Sequence, residues 1–278
     1  MARTSCIAAL VLLSFALLGS DGGSGAAVSE AARRGWEPAQ DDAPAAHDIA
    51  ARAADQLRAD STFIRAEMTI VSPRLAAPRV VTFENWDDRG GKSSFIHILR
   101  PAKDRDTTFL KLEPNLWMYV PRVERTMRIP PSMMLQSWMG SDFTNDDLVR
   151  DSSEVDDYDH LLLGVDRAPE GHPERSAYVV QYTPHEGAPV VWSRIVTWID
   201  TERYAPLRQE FYDEAGTALR VMRFSDFRTQ GDRYFPHRWE MRSLEKKGHS
   251  TVIRVDEVNF EPEIGAGVFT KRNLTRHR

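Results

Sequence analysis

Cysteine is almost absent. The chain of 278 residues holds one, Cys6. It lies in the apolar run Cys6 to Leu18, after the early cation Arg3 and before the small residues Gly19 to Ala27. That order is the n-region, h-region and cleavage zone of a secretory signal. Residues 1–27 are therefore expected to be a signal peptide, and the run is too short to span a bilayer comfortably. Cys6 precedes the cleavage zone, whereas a lipoprotein signal needs Cys just after it, so a soluble exported protein is expected. The mature chain then has no disulfide, thiolate nucleophile or cysteine metal ligand, and its own core must stabilise it.

Positive charge is also short. Asp and Glu number 41 against 36 Lys and Arg, a net charge of −5. Binding nucleic acid needs a basic face, so no nucleic-acid partner is expected. The balance supplies no polybasic attraction to anionic lipid either.

Catalytic motifs are missing as well. The sequence contains no GxSxG, no HExxH and no Walker loop; Gly91-Lys92-Ser93 lacks the upstream glycine. The eight histidines are scattered without an i, i+4 pair. His97 sits in an alternating strand and reads as a structural side chain. The acidic run Asp151 to Asp159 lacks the ligand order and central Gly of an EF-hand and reads as a solvated loop. No enzyme activity, cofactor or metal is expected.

What remains is a strand-rich chain. Residues 28–46 are rich in Ala, charge and Pro, the composition of a flexible segment. In His47 to Ala59, Ile49, Ala53 and Leu57 form one helical stripe. From Ser61 onward, alternation and short polar turns predict about ten or eleven antiparallel strands, a mainly β (α+β) fold in one domain over 47–278. Ile64, Ala66, Met68 and Ile70 share one face of the first strand. Many strands are apolar on both faces: Ile195 and Ile199 point one way, Val196 and Trp198 the other. Such a sheet must be covered on both sides, as a curved sheet wrapped around something apolar would be.

The segment Leu116 to Leu148 stands apart. It holds two Trp, five Met, a Tyr and a Phe, with Arg122, Arg125 and Arg128 and an acidic close at Asp142, Asp146 and Asp147. Its Met and Trp residues suit either irregular core filling or an adaptable apolar binding surface. Ser141 to Arg150 is expected to be a short helix capped by Ser141 or Asp142, placed as a lid.

Within it, Phe109-Leu110, Leu116-Trp117-Met118-Tyr119-Val120-Pro121, Arg128-Ile129, Gly140-Ser141-Asp142-Phe143 and Asp146-Asp147-Leu148 form a pattern. It resembles the outer membrane lipoprotein-sorting protein family of LolA/LolB-like periplasmic lipoprotein carriers. The ending Val268-Phe269-Thr270 through Leu274 is similar to that family's closing segment. The chain departs from it at Asp106, where relatives often have Gly, and in its greater length.

The resemblance implies an incomplete antiparallel β-barrel with helices covering an apolar cavity for the acyl chains of a lipoprotein or other lipid, in the periplasm. Trp117, Tyr119, Met133, Met134, Trp138, Met139 and Phe143 are the candidates for cavity and lid. Ile64, Met68, Phe83, Phe95 and Ile195 are candidates for the inner face. The expected role is non-enzymatic transfer towards the outer membrane. The alternative is an accessory protein of an inner-membrane transporter, an exporter of RND or ABC type, docked through Arg122, Arg125 and Arg128.

Overall fold

Apolar side chains at every second position, punctuated by polar turns, build one antiparallel sheet. The computed structural model describes residues 34–90, 92–150, 154–188, 190–265 and 267–276. The expected signal peptide lies outside them, as does part of the acidic run 151–159. Helix α1 (Ala46–Leu57) comes first. Then follow β1 (Ser61–Val71), β2 (Arg79–Asp88), β3 (Ser93–Arg100), β4 (Thr108–Leu112), β5 (Asn115–Val120) and β6 (Arg125–Arg128). The short helix α2 (Asn145–Arg150) separates these from β7 (Tyr158–Asp166), β8 (Ala177–Pro184), β9 (Arg194–Asp200) and β10 (Pro206–Tyr212). The chain closes with β11 (Ala218–Gln230), β12 (Arg233–Ser243) and β13 (Ser250–Phe260).

All thirteen strands join one sheet in the order β6-β5-β4-β3-β2-β1-β13-β12-β11-β10-β9-β8-β7. Every adjacent pair is antiparallel. Two meanders thus meet where β1 pairs with β13. The edges β6 and β7 do not pair with each other, so the sheet is open. Residues 129–157 connect these two edges.

The strand count exceeds the expected one by β6 and β7. β6 (RTMR) is exposed along its whole length and carries no period-two signal. β7 begins inside the acidic run, and a register shift between Leu162 and Gly164 breaks its alternation.

Period-two alternation loads both faces of the sheet. One face holds the largest core cluster, which includes Ala66, Met68, Ile98, Phe109, Ile195 and Phe235. Helix α1 covers part of this face with Ile49 and Ala53 of the expected stripe and with Ala50 beside them, while Leu57, the third residue of the stripe, packs against the cluster partly buried. On the other face, Val196 and Trp198 pack with Leu163, Val179 and Trp36. Trp36 lies in the stretch expected to be flexible, yet it is buried, edge-on to Trp198 at 5.7 Å. Glu37 pairs with Val165 beside it. A Cβ on Gly164 would stand 2.6 Å from the Glu37 carbonyl, so only glycine admits this close approach. A third cluster, Phe95, Leu110 and Tyr119, is capped by Leu274.

In the β3–β4 turn, Asp106 has φ 63°. The turn keeps the left-handed backbone that a glycine would adopt, which Asp tolerates better than most residues. The Asp106 carboxylate lies 3.0 Å from His97 Nε2, giving that buried ring a partner.

Candidate functional site

Inside the sheet, beside the largest core cluster, lies a cleft of about 250 Å³. Ile96 on β3 and Ile195 on β9 both line it, although seven strand steps separate them. In a flat sheet they would stand roughly 34 Å apart at the usual strand spacing. The sheet must therefore curl, and the curl follows from loading one face with large apolar side chains. Phe211, Met222, Trp239 and Met241 form the far wall. Leu57 and Arg58, at the end of α1, close one end. Trp138, Phe143 and Leu148, from the connection between the sheet's free edges, close another side.

Five of the candidate residues meet here: Ile64, Phe83, Trp138, Phe143 and Ile195. Met68 is fully buried in the same cluster, and Met133, Met134 and Met139 pack against it half-buried without lining the cleft. Phe95, Trp117 and Tyr119 lie elsewhere. They belong to the cluster on the opposite face, under the segment 268–274. Lys271 Nζ stands 3.7 Å over the Trp117 ring. Alternation explains the correction: in β5 the inward residues are Leu116 and Met118, which join the inner cluster, and the aromatics fall on the odd phase. Arg122, Arg125 and Arg128 are exposed on and beside the edge strand β6. Arg128 donates to Asn115 Oδ1.

The segment around Trp138 is tied down by polar anchors. Arg79 donates through one Nη to the Met139 carbonyl (2.5 Å) and through the other to Asp104 Oδ2 (2.7 Å). Asp142 exchanges hydrogen bonds with Thr251 on β13: its N–H donates to Thr251 Oγ1, and that hydroxyl donates to Asp142 Oδ2 (both 2.9 Å). Trp138 itself is 3% exposed and stands edge-on to Phe83 (5.6 Å) and Phe109 (5.8 Å).

The short helix starts later than expected. Ser141 does not cap it; its hydroxyl donates to the Trp138 carbonyl and accepts from the Phe143 N–H. The cap is Thr144. Its N–H (2.7 Å) and hydroxyl (2.9 Å) donate to Asp147 Oδ2, and Thr144 Oγ1 accepts from the Asp147 N–H (3.3 Å), a reciprocal capping box. Asp147 has a second role. Arg220 on β11 grips it with both Nη atoms, at 2.8 and 2.5 Å. The Arg220 guanidinium stands 4.3 Å over Trp192 and 4.7 Å over Phe211. Sequence reasoning missed Arg220. Its signal is phase: Arg220 shares the inward face of β11 with Met222 and Phe224, an odd place for a cation.

At the N-terminal end of α1, His47 meets His160 of β7, ring centroids 5.4 Å apart, and His160 also meets Tyr182 at 4.6 Å. Burial foremost, with His47 and His185 adding like charge, holds the His160 pKa below the ordinary imidazole value. The Glu154 carbonyl and Asp159 oppose that shift without cancelling it. A folded-state pKa below the unfolded one favours the neutral ring. Its stabilisation is full above the unfolded value, about 6.5, and is lost as pH falls from there through the lower folded value. His237, lowered mainly by burial, acts in the same direction. We expect the thermal midpoint to drop between pH 7 and pH 5, and His160→Gln to flatten part of that slope. An unchanged pH dependence in the variant would remove His160 from this account.

Among the described residues no group of three or more His, Cys, Asp or Glu is placed to hold a metal ion. No helix among them is long and apolar enough to cross a membrane.

Three solved structures share this fold over nearly their whole length. A DUF1329 family protein from Desulfovibrio piger aligns with TM-score 0.73 and 24% identity, over 82% of this chain and 97% of that one. An outer membrane lipoprotein-sorting protein domain from Vibrio parahaemolyticus gives TM-score 0.71 and 22% identity, over 83% and 98%. A LolA superfamily protein from Nitrosomonas europaea gives TM-score 0.69 and 22% identity, over 83% and 100%. A family model described as an uncharacterized protein matches residues 90–276. No curated protein matches the chain significantly.

Proposed function

Because the chain belongs to the family whose model spans residues 90–276, and folds as LolA superfamily proteins do, we propose that it is a non-enzymatic lipid carrier. It would act in the periplasm and hold the acyl chains of a lipoprotein or another lipid on the way to the outer membrane. The observation that supports this reading is the cleft, bordered by the inner sheet face, the end of α1 and the Trp138–Leu148 segment. An apolar cavity of about 150 Å³ is enough to take up benzene; the cleft measures about 250 Å³, with a lining partly apolar and partly polar. Each methylene buried would contribute about 0.8 kcal/mol, so several chains held in full would scarcely leave. Trp138 and Phe143 occupying part of the space would weaken the hold enough for release.

Native mass spectrometry of protein purified from the periplasm tests this. A co-purifying lipid, or uptake of a fluorescent fatty acid by the empty protein, is the expected result. A protein that is always empty and takes up no such probe would overturn it. The open, arginine-bearing edge at β6 supports the exporter-accessory version, in which Arg122, Arg125 and Arg128 meet a membrane transporter. Cross-linking from that edge that recovers no transporter would remove that version.

A further inference from the structure

The inner wall of β1–β3 changes character along the strands. Register sets the side chains in rows: Thr62, Asp87 and Ser94 form one, Ile64, Asn85 and Ile96 the next, and Ala66, Phe83 and Ile98 the third. The wall therefore runs from polar to apolar within three rows. A pure hydrocarbon site has no use for the polar end.

The polar end offers hydrogen bonds from neutral amides beside its charged groups. Asp87 is paired with Arg58 at 2.5 Å, and both side chains are largely buried. Asn85 Oδ1 accepts from Ser94 Oγ at 2.8 Å, which leaves the Asn85 amide N–H groups without an acceptor among the described residues. On the far wall, the Gln209 amide donates to Glu154 Oε2 (3.1 Å) and Thr197 Oγ1 (3.3 Å). Its own Oε1 has no donor among the described residues. Asn85 and Gln209 both line the cleft. The unused Asn85 N–H donors and the unused Gln209 Oε1 acceptor thus belong to side chains that border the space a ligand would fill. Dry hydrocarbon there would strip both of water and return nothing.

We infer that the cleft selects acyl-chain ligands bearing an uncharged group that both donates and accepts a hydrogen bond, an amide or a hydroxyl, seated inside the cleft against Asn85 and Gln209. The chain then runs from that group toward Phe83 and Trp138. The inference rests on the carrier reading and specifies its ligand. An ionised carboxylate fits less well, because it would face Glu154 beside Gln209, and Arg58 is already paired with Asp87.

The test uses four ligands with one chain length: dodecane, 1-dodecanol, dodecanamide and dodecanoate. Each displaces N-phenyl-1-naphthylamine from the purified mature protein, and each affinity is divided by the ligand's own water-to-octanol partition coefficient. On that scale the amide and the alcohol are expected to exceed dodecane by about tenfold, the worth of one or two net hydrogen bonds. Dodecanoate is expected to gain no such advantage. Asn85→Leu, which sets an apolar side chain between Ile64 and Ile96, should remove most of the preference while dodecane still binds. Gln209→Met checks the same point from the opposite wall should the first variant misfold. Binding that follows partition alone, or a preference that survives both substitutions, overturns the inference and leaves the carrier reading standing. A protein that binds neither the probe nor any of the four ligands overturns both.

Discussion

Replacing Arg220 by methionine is expected to cost about 3 kcal/mol of folding stability, at the lower end of what breaking a buried ion pair by removing one partner costs. The lower end applies because the Asp147 side chain is 22% exposed, while that of Arg220 is 6% exposed. Water can reach part of the stranded carboxylate. Methionine keeps an apolar stem against Trp192 and Phe211, so the loss reports the charge rather than the packing. Urea titration measures it as a lower midpoint at constant slope. The double variant Arg220→Met, Asp147→Leu should recover part of the loss, since removing both charges leaves none stranded. A single variant within about 0.5 kcal/mol of the parent would mean that the pair does not hold the short helix in place.

Trp138→Ala is expected to cost more, about 3–5 kcal/mol, the range for deleting a buried aromatic. The side chain is 3% exposed and supports Phe83 and Phe109 edge-on, so its removal joins a void to the existing cleft. Trp138→Phe should lose less than half as much, because one ring can still meet the other two. The two variants also separate structure from binding. If Trp138 fills the cleft in place of ligand, the alanine protein will be less stable when empty and will regain stability when an acyl ligand is added, by an amount that grows with ligand concentration. An alanine variant as stable as the parent would show that this wall contributes nothing.

The sheet was legible from alternation because most of its strands bury one or both faces. Ile64, Met68 and Ile195 fall where period two places them. The helix stripe Ile49, Ala53 and Leu57 was legible for the same reason. The misses have physical causes. β6 is all exposed, so nothing in RTMR reports a strand; only its pairing with β5 does. The glycine-bearing register shift in β7 hides the phase of its leucines. Trp117 and Tyr119 lie in the apolar segment that pointed to the cavity and Phe95 on a strand apolar on both faces, but phase places all three on the opposite face, where the C-terminal segment covers them. The polar rows of the cleft were overlooked because Thr62, Asn85 and Asp87 read as ordinary polar positions until register aligned them. Arg220 could have been found by asking why a cation shares a phase with Met222 and Phe224.

One oxygen links two kinds of order. Asp147 Oδ2 accepts from the Thr144 N–H, the Thr144 hydroxyl and Arg220 Nη1. The helix it begins has six residues, well below the roughly 12–15 that a helix needs to persist alone in water. Pulling Asp147 away from Arg220 therefore disturbs the cap and the tertiary anchor in one motion. If the Trp138–Leu148 segment covers the cleft as the carrier reading proposes, it is expected to open by melting rather than by swinging aside as a rigid door. Ligand admission would then be a local order–disorder transition, and hydrogen exchange should find the backbone amides of residues 145–148 less protected than those of the neighbouring strands.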